Sequence, residues 1–122
     1  MTVKAATISD VSPNGDGSAM LAVWPTTTEA DTFGAIKMPG YAARVVSIQG
    51  TFGGATVVLA GSVDGTNYSN LSNPAGSTIS KTGAAVVGVW EAPLYYQPSA
   101  SGGTGQGLVV SMLFTNPRRF PS

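Results

Sequence analysis

Catalysis needs side chains that move protons, attack carbon or hold ions, and this chain offers few of them. It has no histidine and no cysteine. That removes imidazole bases, thiolate nucleophiles, disulfides and the usual nitrogen and sulfur zinc sites together. Carboxylate catalysis would need two acids flanking a substrate, drawn from Glu29, Asp31, Asp64 and Glu91. Glu29 and Asp31 share a polar, Thr-rich loop and Asp64 opens an Asp-Gly turn, so solubility and turn geometry are their expected roles. Glu91 has the more suggestive neighbour, Trp90. Serines are plentiful, but no His partner and no Ser-x-x-Lys spacing is there to activate one. Asp10, Asn14 and Asp16 in DVSPNGDGS place oxygen ligands along a loop, as a calcium site would. No downstream bidentate Glu completes the pattern, and Asn-Gly-Asp-Gly is ordinary turn chemistry. The expectation is a non-enzyme with no metal and no cofactor.

Residues suited to binding are more numerous. Trp24, Tyr68, Trp90, Tyr95 and Tyr96 could stack on sugar rings, or fill a core or a protein interface, since large aromatic rings serve all three. Tyr95 and Tyr96 are adjacent, so on a strand one points in and the other out. Arg118 and Arg119, followed by Phe120, could dock on an acidic patch of a partner or simply solubilise a tail. The candidate partner-contact residues are therefore Trp24, Trp90, Tyr95, Tyr96, Arg118, Arg119 and Phe120.

The bulk properties narrow the partner. The chain has 122 residues, with 6 basic against 6 acidic side chains and a net charge of zero. There is no surplus of cations to neutralise phosphates, so nucleic acid is not an expected ligand. The longest apolar run, Ala19 to Trp24, is six residues and nothing reads as a signal peptide, so no membrane role is expected. Only 10% of the residues are charged, where an ordinary soluble domain has about 25%. A surface so short of charge implies that a partner covers part of it.

The elements that position these residues read as short strands. Val, Thr, Tyr, Gly and Pro recur every few residues, and no stretch of twelve keeps a helical apolar period free of Gly or Pro. The pattern predicts one all-β domain over residues 1–122, an antiparallel sandwich, jelly-roll-like or immunoglobulin-like, of about seven to nine short strands. An irregular N-terminal arm over about residues 1–18 and a tail over about residues 115–122 flank it. The clearest segment is RVVSIQGTFGGATVVLAGSV, residues 44–63. Gly53-Gly54 tolerates the positive φ of a tight hairpin turn, which would pair Thr51 with Thr56 and Ile48 with Leu59. Alternation then puts Val46, Ile48, Phe52, Val57, Leu59 and Val63 on one buried face. A strand from Ala19 should end at Pro25. Leu108, Val110, Met112 and Phe114 should share one face of the last strand.

GTFGGATV at residues 50–57, then GSVDGTNY at residues 61–68, resembles small β-proteins encoded among the structural genes of tailed bacteriophages. EAPLY at residues 91–95, QPS at 97–99, a Gly-rich loop and a Val-rich last strand are similar to the second half of that group. The resemblance covers roughly residues 44–114. It implies a virion protein, a decoration (cement) protein on the outer capsid surface that binds the major capsid protein and stabilises the shell. It also implies a homo-oligomer, with a trimer favoured, and carries no catalytic motif. A carbohydrate-binding or host-adhesion module and a head–tail neck adaptor are the alternatives.

Overall fold

The computed structural model describes residues 2–12, 15, 17–28, 31–38, 41 and 43–115. These contain twelve strands and no helix. The strands are β1 Thr2–Lys4, β2 Thr7–Asp10, β3 Ala19–Thr27, β4 Asp31–Phe33, β5 Ile36–Lys37, β6 Ala43–Thr51, β7 Thr56–Ser62, β8 Ser69–Asn70, β9 Ser80–Lys81, β10 Ala85–Gly88, β11 Tyr95–Ser101 and β12 Gly107–Thr115. The count exceeds the expected seven to nine because three of them, β5, β8 and β9, are two-residue fragments. One antiparallel sheet runs β10-β6-β12-β3-β2; a second runs β5-β11-β7-β8, with β9 also on β7. A short parallel pair, β1 with β4, forms a third, two-stranded sheet, from which Phe33 enters the core. The fold is an all-β sandwich.

The Gly53-Gly54 turn forms, but the hairpin does not. Ala55 N–H donates to the Phe52 carbonyl at 2.9 Å, and both glycines have positive φ. The strands that it joins then part into opposite sheets. β6 pairs with β12 from Thr51↔Gly107 to Ala43↔Thr115, and on its other edge with β10. β7 pairs with β11, β8 and β9. β12 takes one edge of β6 along its whole length, β11 takes one edge of β7 along its whole length, and β10, β8 and β9 take parts of the other edges. Alternation nonetheless chose the buried face correctly, because Val46 and Ile48 from one sheet join Val57 and Leu59 from the other in a single core cluster. Period-two patterning reports which face is inside and not which strand lies alongside.

Two further expectations are corrected. Val63 is 79% exposed, because β7 ends at Ser62 and the chain enters the Asp64 turn, where alternation no longer applies. Pro25 does not end β3. Thr27 stands opposite Leu108 and Trp24 opposite Val110, so Pro25 and Thr26 share the space facing Val109 in a bulge, one of the few places where a strand accepts a residue without an N–H. Within the N-terminal arm two stretches are paired strand, β1 on β4 and β2 on β3 from Thr7↔Val23 to Asp10↔Met20. Residues 116–122 lie outside the described residues.

Leu108, Val110, Met112 and Phe114 are all fully buried, as the last strand predicts. Phe114 meets the Tyr96 ring edge-on at 5.1 Å between centroids, and Trp24 meets Phe33 at 6.4 Å, geometries that aromatic pairs prefer.

Candidate functional site

The same alternation that turns Val46 and Ile48 inward also turns Arg44 inward, and it is 9% exposed. Its Nη1 donates to the Tyr41 carbonyl, and its Nη2 donates to the carbonyls of Val89 at 3.2 Å and Trp90 at 2.9 Å. Its Nε is buried without a hydrogen bond. Three backbone carbonyls thus converge on one cation, which ties the segment after β10 to the start of β6. Val89 N–H donates back to the Arg44 carbonyl at 3.0 Å.

The segment is pinned from its other side by Ser72. Trp90 N–H donates to the Ser72 carbonyl at 2.8 Å. Ser72 N–H in turn donates to Glu91 Oε1 at 2.7 Å, and its hydroxyl donates to Oε2. Partial burial raises the Glu91 pKa, but the Ser72 hydroxyl and N–H outweigh it and, with nearby Arg44, hold the carboxyl below its ordinary value. Glu91 is therefore an ionised strut for the backbone. Between these fixings the Trp90 side chain stands 65% exposed. With the backbone already held, a partner that covers the indole has only its two side-chain torsions to order, which suits an interface anchor.

The other aromatic candidates are placed differently. Trp24 and Tyr96 are fully buried and present no surface to a partner. Trp24 Nε1 donates to the Gly34 carbonyl at 2.8 Å, satisfying its one polar atom within the core. Burial pushes the Tyr96 phenol up to about 12. Tyr95 is half-buried with its ring over Gly65, where an added Cβ would lie 3.1 Å from Cε1, so it covers the turn. Among the described aromatics only Trp90 is strongly exposed, and no pair of exposed rings forms a stacking platform. Arg118, Arg119 and Phe120 lie outside the described residues.

The acids serve turns. Asp64 accepts from the N–H groups of Asn67 at 2.9 Å and Thr66 at 2.8 Å, and from the Ser62 hydroxyl, which together hold its carboxyl far below the ordinary value. Asp31 accepts from the Thr28 N–H and hydroxyl, and the N–H bond is the main cause of its lowered pKa. Asp10 accepts from the N–H groups of Ser12 at 2.9 Å and Gly17 at 3.0 Å, closing its loop. Asn14, Asp16 and Glu29 lie outside the described residues. A groove of about 500 Å³ lies beside Glu91, lined also by Ser62, Val63, Asn70, Leu71 and Pro93. A smaller one of about 170 Å³ lies beside Gln97, whose Nε2 donates to the Phe33 carbonyl at 2.8 Å.

The charges are segregated as well as few. The outer face of the five-stranded sheet carries Val86 of β10, Val45 of β6, Val109 and Leu113 of β12, and Leu21 and Val23 of β3, beside the uncharged polar side chains of Thr7, Ser9, Ser47, Gln49, Thr51, Ser111 and Thr115. Among the described residues no Asp, Glu, Lys or Arg stands on it. Asp10, at the end of β2, is paired with Met20 and so belongs to the opposite face. No family model and no curated protein matches the chain.

Proposed function

We propose that this protein is a non-catalytic structural component of a tailed-phage virion, which binds major capsid protein subunits on the outer capsid surface and stabilises the shell. The observation that carries the docking is Trp90, exposed and held by Arg44 on one side and Ser72 on the other. Trp is the residue type most enriched among interface hot spots, and rigid presentation lowers the entropy lost on association. The resemblance over residues 50–57 and 61–68 supports a virion setting. With few charges on the chain, the contact rests on apolar burial and survives moderate salt.

Co-sedimentation of the purified protein with bare capsids, followed by heating, tests the reading. Wild-type protein pellets with the capsids and raises the temperature at which they release their genome. Trp90→Ala remains folded and binds at least tenfold more weakly. No binding by the wild type, or equal binding by the variant, would refute it and turn attention to the neck or to a glycan ligand.

A further inference from the structure

We infer that the outer face of the five-stranded sheet is a contact between two copies of this chain. The first support is the strand sequences themselves. β12 reads Leu108-Val109-Val110-Ser111-Met112-Leu113-Phe114 and β3 reads Met20-Leu21-Ala22-Val23-Trp24, both nearly continuous in apolar residues. Strands with one face in water alternate apolar with polar, whereas strands covered on both faces read as continuous apolar runs. The inward set is the core already described. The outward set includes a row across three adjacent strands, Val45↔Leu113↔Leu21, with Leu113 37% exposed in the single chain.

The second support is electrostatic and selects the occupant. A two-fold contact lays the same patch on itself, so charge of one sign on that patch would meet its like. This face carries none among the described residues, while Lys4, Asp31, Lys37, Asp64, Lys81 and Glu91 all stand elsewhere. A face shaped to meet a charged partner would carry complementary charge; a face that meets itself has reason to carry none. The third support is size. Five strands about 4.8 Å apart, nine residues long in the three central strands and four in the two edge strands, give roughly 550 Å² per copy and about 1,100 Å² in all, where specific interfaces begin. Two sheets so stacked pack about 10 Å apart with Val and Leu interdigitating. A side-by-side trimer would leave this face bare.

The inference stands on the sheet face alone and does not need the capsid reading. Sedimentation velocity on the full chain across the micromolar range tests it. The wild type sediments as a dimer, twice 12.3 kDa, and persists at high salt. Leu113→Lys sets a lysine from each copy into the contact and weakens the dimer at least a hundredfold. Val86→Glu, at a position 67% exposed in the single chain, does the same without touching the core, and circular dichroism checks that both variants keep their strands. Trp90→Ala leaves the dimer intact. A wild-type monomer or trimer, or a dimer indifferent to both substitutions in folded protein, would overturn it.

Discussion

Arg44→Ala probes the joint on which the Trp90 presentation depends. The substitution removes donors from three carbonyls, those of Tyr41, Val89 and Trp90. A hydrogen bond to a charged group contributes about 1.5–3 kcal/mol net, and two of these three are only partly buried, which puts the gross loss at about 4–6 kcal/mol. Offsetting it, the variant no longer buries the unpartnered Nε, an unsatisfied donor that costs about 1–3 kcal/mol. The net destabilisation is about 2–4 kcal/mol. With an unfolding entropy of about 2.1 cal/mol/K per residue, that lowers Tm by about 8–16 °C. Differential scanning calorimetry and urea melts measure it directly. Arg44→Lys should lose most of the same stability, because one ammonium cannot reproduce the planar fork that reaches all three carbonyls. A cost below about 0.5 kcal/mol for Arg44→Ala would mean that the cation's desolvation cancels its bonds, and that the Trp90 segment is held without it.

Other perturbations have equally definite outcomes. Leu59→Ala, at a fully buried site in the core cluster, should cost about 2–5 kcal/mol in denaturant melts. Gly50→Ala should cost about 2 kcal/mol or more by the same assay, since φ is +108° and a Cβ would lie 2.2 Å from the Gly107 carbonyl oxygen. The carboxyls of Asp64 and Glu91 have folded pKa values below their ordinary 3.8 and 4.5. Their contribution is therefore present at neutral pH and is lost as pH falls below those values; Glu91→Gln should flatten the acid limb of the stability curve. Tyr96 has the opposite sign. Its folded pKa is raised from 10.0 to about 12, so stability is full below pH 10 and declines as pH rises towards 12, and Tyr96→Phe should remove that alkaline decline.

Much of this was legible in the residues, for reasons that also mark where reading stops. Strand punctuation by Gly and Pro and the inward sets of β6, β7 and β12 follow from local chemistry and a two-residue period. The assignment of β6 and β7 to different sheets does not, because it depends on competition among distant strands for the same edges, a non-local quantity. Residue type alone could not separate Trp24 from Trp90. The first lies on the core parity with Ala22, opposite Val110, while the second lies beyond β10, where no alternation applies. Arg44 was readable from its parity with Val46 and Ile48, but its purpose required the fold, which brings Val89 and Trp90 to it from 45 and 46 residues away. The uncharged face likewise needs the registers of β10, β6, β12, β3 and β2 before scattered Val, Leu and Ser positions become one surface.

Cryo-electron microscopy of bare capsids incubated with the protein tests the capsid reading most directly. It should show added density on the outer capsid surface at defined lattice positions, with the Trp90 edge of the sandwich seated against capsid subunits and its side chain buried there. Capsids without added density, or decorated capsids in which Trp90 faces solvent, would contradict it.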